Sequence, residues 1–148
     1  MAKLAGRWLK VFLSDSVPTV RDISSDVQSI DLPIEFDEID TTGFSDAAKN
    51  SIPGMPGFNV ELAGKFNPTV DTGLFTVLKD IVGDYVGHTL TVMVGQNAAP
   101  ANGDPEFEGL FWCPKLGVSG SPTGGLEITT SLRVYGIVAP AWGVVSGL

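Results

Sequence analysis

Apolar and polar positions alternate strictly between Ser29 and Asp37. Because successive side chains of a β-strand point to opposite faces, this pattern predicts a strand with one buried face and one acidic, solvent-facing face. The strand is expected over Asp26–Asp40 with a bend at Pro33, since proline cannot donate a backbone hydrogen bond. Its apolar face would carry Ile30, Leu32, Ile34 and Phe36.

The rest of the chain contains further strand-like segments and one helix-like segment. Gly117–Gly125 supplies turn residues for a hairpin between the last two predicted strands. Leu74, Val77, Leu78 and Ile81 recur at helical spacing and predict a helix over Asp71–Val82, with Asp71 or Thr69 as its N-cap and Gly83 as its stop. Strands are expected at Arg7–Leu13, Phe58–Phe66, His88–Gln96, Phe107–Val118 and Leu126–Val138.

These elements favour a mainly β fold with few helices. Strands joined by turns, together with one amphipathic helix, predict an antiparallel β-sandwich or partly closed barrel with the helix packed on it. Between the early strands, Thr41–Gly57 is rich in Gly, Ser, Asn and Pro and is expected to be a long loop, which is a frequent place for function. With 148 residues and no linker in the sequence, residues 1–148 are expected to form a single domain.

Charge and cysteine content narrow the classes of function. The net charge is −8 and the nine basic residues are scattered, which argues against a nucleic-acid-binding protein because phosphate contacts need clustered Lys and Arg. Cys113 is the single cysteine, so no disulfide can form within the chain. The basic N-terminal segment lacks an uninterrupted apolar stretch, and no run reaches the roughly 18–20 apolar residues that span a bilayer. Folding in a cytoplasm and no membrane partner are therefore expected.

No motif in the sequence indicates catalysis, a cofactor or a metal. A calcium loop beginning at Asp37 fails because Ile39 and Ala48 occupy ligand positions. His88 is the only histidine and stands outside any nucleophile motif, and Cys113 has no second cysteine, so both are interpreted as structural. The acidic strand is interpreted as a solvated face, and we expect no enzyme. The three tryptophans, Trp8, Trp112 and Trp142, suit core or subunit-interface positions better than a carbohydrate platform.

The order of elements resembles the tail tube (major tail) proteins of long-tailed, siphovirus-like bacteriophages. The resemblance is carried by the phrase D-E-x-D-T-T-x-F-x-D at Asp37–Asp46, the following IPGMPG turn, and the alternating strand FNVELAGKFN. The helix, the strand after it and the terminal hairpin continue the same order, so the resemblance covers nearly the whole chain.

The resemblance implies a structural virion protein that forms hexameric rings, which stack into a tail tube. It also implies tape-measure and tail-terminator proteins as partners, DNA that passes through the channel without specific binding, a location in the virion tail, and assembly in the host bacterial cytoplasm. Like charge between an acidic channel wall and DNA would keep the duplex mobile. On this basis Asp31, Glu35 and Asp37 are candidate lumen acids, with outer-surface acids as the neutral interpretation.

The same resemblance assigns the Thr41–Gly57 segment to contacts between stacked rings or between neighbouring subunits. Phe44, Ile52 and Met55 are its candidate interface residues, because a monomer gains nothing from exposing them. Two other functions remain open on the sequence: another virion component, such as a head decoration or tail-terminator-like protein, and a ligand-binding or carbohydrate-binding β module.

Overall fold

The computed structural model describes residues 8–16, 19–95, 97 and 99–148. The described residues form ten strands and one helix. In chain order they are β1 (Leu9–Ser14), β2 (Val20–Asp22), β3 (Val27–Asp31), β4 (Glu35–Asp40), β5 (Ser51–Gly57), β6 (Val60–Lys65), α1 (Leu74–Ile81), β7 (His88–Val94), β8 (Pro105–Ser119), β9 (Glu127–Val134) and β10 (Ala141–Val144). Arg7 and Gln96, at the ends of two predicted strands, lie outside the described residues.

Eight strands form one antiparallel sheet, and β4 and β5 form a separate two-stranded hairpin. The sheet order is β2-β1-β7-β8-β9-β6-β3, and β10 also pairs with β8. The sheet does not close into a barrel. The predicted fold class, mainly antiparallel β with one short helix, is therefore confirmed.

The long strand β8 divides this sheet into two halves. Its first part pairs with β7 on one side and with β10 on the other, and its second part pairs with β9. The register shifts between Trp112 and Lys115, where Pro114 interrupts the strand. Such a bulge bends a strand and increases its twist. We call β2, β1, β7, the first part of β8 and β10 the first half-sheet.

One face of the sheet packs on α1 and the other is open. The helix buries the four residues that the sequence pattern predicts, Leu74, Val77, Leu78 and Ile81. They join the inward-facing residues of both halves of the sheet in one apolar cluster, which includes Val11, Val60, Leu90, Val92, Phe107, Phe111, Ile128 and Leu132. The alternate residues of the same strands, such as Lys10, Thr91 and Glu108, point to the open face.

A residue far away in sequence caps the helix, so the predicted caps Asp71 and Thr69 are wrong. The backbone N–H of Leu74 donates to Oδ2 of the buried Asp26 at 3.2 Å, and the side-chain amide of Asn67 donates to both Asp26 oxygens at 3.0 and 3.1 Å. Asp71 instead adopts a left-handed backbone with φ 67°. Local capping patterns in the sequence cannot reveal a cap that lies 48 residues away.

Gly64 lies where the Asp26 turn and the start of the helix approach β6. A Cβ atom at this position would stand 2.7 Å from Cδ2 of Leu74 and would overlap the carbonyl oxygen of Asp26. The backbone oxygen cannot move away freely, because it accepts a hydrogen bond from the N–H of Lys65.

We therefore expect Gly64→Ala to lower the free energy of unfolding by about 1–3 kcal/mol through overpacking. Urea denaturation followed by circular dichroism measures this loss. Gly125→Ala is the matched control, since nothing lies within 4 Å of a Cβ there. Equal stability of the two variants would contradict the crowding at Gly64.

The single acidic strand predicted over Asp26–Asp40 is wrong. It is two strands in different sheets: β3 pairs with β6, and β4 pairs with β5. The break falls at residues 32–34, around Pro33, as the loss of a backbone donor there suggests. The predicted loop Thr41–Gly57 is also wrong in its second part, because Ser51–Gly57 forms β5 in spite of its two prolines.

The apolar side of the predicted strand is not buried as expected. Ile30 and Leu32 are half-buried, whereas Ile34 and Phe36 are exposed. Among the described residues β4 pairs only with β5, and none of them forms a layer that buries Ile34 or Phe36. The alternation therefore predicted strand geometry correctly but not what covers the strand.

Candidate assembly surfaces

The hairpin from Glu35 to Gly57, which we call the acidic hairpin, is exposed along nearly its whole length. Its large apolar side chains are 50–114 % exposed, and Phe44 near its tip is the most exposed of them. A soluble monomer rarely exposes a contiguous apolar patch of this kind without a binding role. The exposed apolar residues are Phe36, Ile39, Phe44, Ile52 and Met55, and they include the three candidate interface residues from the sequence.

The loop of the acidic hairpin has defined hydrogen bonds. The Thr42 hydroxyl accepts from the N–H of Asn50 at 2.8 Å, and the N–H of Thr41 donates to the carbonyl of Asn50 at 3.0 Å. Backbone N–H groups of Thr42 and Gly43 donate to Asp40 and Asp46, and these bonds lower the pKa of both carboxyls. The tip that carries Phe44 is thus supported by local contacts.

The acidic hairpin also carries much of the charge of the chain. It contains five carboxylates and one lysine, a net charge of −4 within a total of −8. Glu35 and Asp37 belong to it, whereas Asp31 lies on β3 in the main sheet, opposite Glu61. The structure therefore does not place the three candidate lumen acids on one strand, and the expected continuous row of carboxylates is wrong.

The free edges of the main sheet differ in character. The edge strand β2 has three residues, two of them charged, and β3 has a register shift and an aspartate, all features that discourage pairing with another chain. The third edge strand, β10, is uncharged, and all four of its residues are exposed. It has none of these protective features.

Strand β10 points two sets of backbone groups away from the sheet. The N–H of Val145 donates to the carbonyl of Asp104. The backbone N–H and carbonyl groups at alternate positions, residues 143 and 141, therefore also point toward β8. The backbone groups of Trp142 and Val144 therefore point outward, where β10 has no neighbouring strand among the described residues. This strand was not predicted from the sequence, because Ala-Trp-Gly-Val lacks the alternation of polar and apolar residues.

A groove of about 480 Å³ lies beside β10 on the open face of the first half-sheet. Its walls include the exposed apolar side chains of Leu110 and Val138, and it is bordered by the β10 strand, which places only Ala141 and Gly143 on this face. Glu106 and Glu108 project into it from β8. Partial burial, and then the neighbouring charge and hydrogen bond of Glu108, raise the pKa of Glu106. These two acids were not singled out in the sequence.

His88 and Cys113, the two residues considered for catalysis or metal binding, are buried in the fold. His88 is buried, with Nε2 3.8 Å from Oδ2 of Asp84, and Cys113 is buried with its sulfur 3.1 Å from the Thr130 hydroxyl. The described part of the chain contains no group of three His, Cys, Asp or Glu residues arranged to hold a metal. No helix within it is both long and apolar enough to cross a membrane.

The tryptophans occupy neither a common platform nor the fully buried core. Trp142 is 44 % exposed and packs on Phe107 with ring centroids 5.3 Å apart, while half-buried Trp112 meets Tyr85 edge-on at 5.5 Å. The rings of Tyr85 and Tyr135 also meet edge-on. This arrangement does not present the coplanar face on which a sugar ring would stack.

Comparison with known proteins gives structural matches only. No protein-family model matches the chain, and no curated protein sequence matches it. The SPP1 tail tube has a TM-score of 0.74 at 14% identity, over 97% of this chain and 80% of that one. The tail of an empty gene transfer agent particle has a TM-score of 0.72 at 14% identity, over 97% and 100%. The sheath–tube complex of an extracellular contractile injection system has a TM-score of 0.66 at 16% identity, over 97% and 93%.

The chain therefore has the fold of tail tube proteins. The resemblance inferred from the sequence is confirmed at the level of the fold. These structures are described as tails and tubes and none as an enzyme, which agrees with the expectation of a structural protein.

Proposed function

We propose that this protein is the structural subunit of a bacteriophage tail tube, in which closed rings of copies, hexameric by resemblance, stack along a common axis. The observation that carries this proposal is the pair of exposed surfaces on a tail-tube fold: the unprotected edge of β10 and the acidic hairpin. A repeating assembly needs heterologous contacts, in which two different surfaces of one chain meet.

Contacts within a ring would extend the first half-sheet from copy to copy. Its two ends are β10 and the β1–β2 edge, and they lie at opposite sides of the molecule in the strand order. At the β1 end, β2 pairs only with Phe12–Ser14. The backbone N–H and carbonyl of Leu9 point to the edge of β1 that is left unpaired. Pairing of β10 with this end of the next copy would satisfy the backbone groups of Trp142 and Val144.

Contacts between rings would use the acidic hairpin. Among the described residues the acidic hairpin pairs with no strand of the main sheet and its apolar residues are exposed, so in the tube they would be covered by another copy. Phe44, Ile52 and Met55 are the proposed contact residues, and their exposure supports this role.

The channel through the rings would carry DNA without binding it specifically. We keep Asp31, Glu35 and Asp37 as proposed contributors to a negative lumen, because like charge prevents the duplex from adhering to the wall. The proposed partners are a tape-measure protein within the tube and a terminator at its end. A tube-terminating cap is among the structures with this fold, in the anti-feeding prophage. The proposed location is the virion tail, after assembly in the host cytoplasm.

Electron microscopy of the purified protein, together with its mass by light scattering, tests the proposal. Rings or stacked tubes of uniform diameter are expected. A protein that remains a monomer at high concentration, or that decorates capsids as a trimer, would contradict it.

We expect Phe44→Asp to prevent stacking into tubes while leaving the monomer folded. The side chain contributes nothing to the core, because it is fully exposed, so its change should act only through contacts between copies. Negative-stain images and circular dichroism measure the two effects. Val70→Asp, at another exposed apolar residue, is the control. If Phe44→Asp formed tubes of normal length, the acidic hairpin would not be the contact between rings.

A further inference from the structure

We propose that Lys10 of one copy forms an ion pair with Glu106 and Glu108 of the neighbouring copy within a ring. This inference rests on the proposed function and names the charged groups at its lateral contact. The partner surface is therefore a second copy of this chain.

The three residues lie on the same face of the first half-sheet. Lys10 on β1 pairs with Met93 on β7, and Met93 pairs in turn with Glu106 on β8. Paired residues share a face, so Lys10 and Glu106 lie on the same face of the sheet. Glu108 is two residues from Glu106 and shares its face. If the half-sheet continues from β10 into β1 of the next copy, Lys10 of that copy emerges on the face that bears the two carboxylates.

The residues between the charges are small. Glu106 is opposite Gly143 and Glu108 is opposite Ala141 on β10. Strands lie about 4.8 Å apart, so β8 of one copy and β1 of the next would be separated by about 10 Å. A lysine and a glutamate side chain together span this distance, and no large side chain of β10 stands between them on that face.

Neither charge has a good partner within its own chain. Lys10 forms no ion pair with the described residues, since the ion pairs there involve Arg21, His88 and Arg133. Its own Glu106 is also two strands away, but Met93 occupies the space between them. Glu106 and Glu108 lie side by side along the groove, and partial burial together with the charge of Glu108 raises the pKa of Glu106, so a cation placed beside them would be favourable.

Charge reversal tests this pairing. Lys10→Glu and Glu106→Lys should each raise the critical concentration for assembly roughly tenfold or more, since like charges then meet at every lateral contact. The double variant Lys10→Glu/Glu106→Lys should recover assembly. An equimolar mixture of the two single variants should also assemble, because alternating copies place opposite charges at each contact.

Two controls match the change in net charge on the helix, away from the open face. Lys79→Glu is the control for Lys10→Glu, and Asp80→Lys is the control for Glu106→Lys. Lys79 and Asp80 are both exposed. Sedimentation velocity gives the critical concentration, and circular dichroism shows that each monomer is folded.

The outcomes separate this inference from the proposed function. Wild-type tubes together with a Lys10→Glu variant that assembles like Lys79→Glu would overturn the ion pair and leave the tube proposal intact. Failure of both the double variant and the mixture to recover assembly would also overturn it. A wild-type protein that never assembles would contradict the tube proposal, and this inference with it.

Discussion

Val144→Pro should abolish or severely weaken ring formation while the monomer keeps its fold. The N–H of Val144 points away from β8, so proline at this position removes no hydrogen bond from the sheet of the monomer. In the proposed ring the same N–H donates to the next copy, and its loss leaves a carbonyl without a partner. Such a buried, unpaired group costs about 1–3 kcal/mol, which corresponds to a roughly ten- to hundredfold higher critical concentration.

Val144→Ala is the matched control for this experiment. It removes most of the exposed side chain but retains the backbone N–H, so it separates strand pairing from apolar packing. We expect Val144→Ala to assemble close to wild type and Val144→Pro to remain monomeric in sedimentation velocity. Hydrogen exchange should agree, with the amides of Trp142 and Val144 exchanging quickly in the monomer and slowly in the ring. Equal assembly of the two variants would show that β10 is not a pairing edge.

The sequence predicts the fold class well because local patterns determine most of the elements. The helix, β6, β7 and the two long strands β8 and β9 were all expected from periodicity and turn residues, and all are present. Leu74 and Ile81 point inward as their helical spacing predicts. In these elements the covering layer belongs to the same chain, so an apolar face is also a buried face.

The acidic hairpin shows why the same reasoning fails elsewhere. Ile34 and Phe36 have the same alternation as Ile30 and Leu32, yet they are exposed, because β4 leaves the sheet after Pro33. Periodicity indicates which residues share a face but not which molecule covers it. For a protein that assembles, this distinction separates the core from the interfaces.

The second assembly surface depends on long-range pairing that no short motif encodes. Glu106 and Glu108 become neighbours of Gly143 and Ala141 only when β10 pairs with the first part of β8. The apolar tail was recognisable in the sequence, whereas its place at a sheet edge was not. The bend of β8 at Pro114 was likewise not predicted, because a hairpin arm normally pairs along its whole length.

Asp26→Ala should cause the largest loss of stability among the substitutions considered for the monomer. The carboxylate of Asp26 accepts three hydrogen bonds, from the N–H of Leu74 and from the two contacts of the Asn67 amide. It thereby ties the turn before β3 to the start of α1. Removing it leaves the N–H of Leu74 and the amide of Asn67 without this acceptor in a largely buried place.

Asp26→Ala removes hydrogen bonds to a charged group and the cap of the helix. Typical values for these losses give a decrease of about 3 kcal/mol in the free energy of unfolding. For a chain of this size, that corresponds to a fall of roughly 6–12 °C in the melting temperature. Asp71→Asn is the control, since Asp71 was the cap expected from the sequence and asparagine tolerates its left-handed backbone. Calorimetry should show a large decrease for Asp26→Ala and almost none for Asp71→Asn. The reverse order would mean that the helix is capped locally, and that the turn before β3 has no part in holding it.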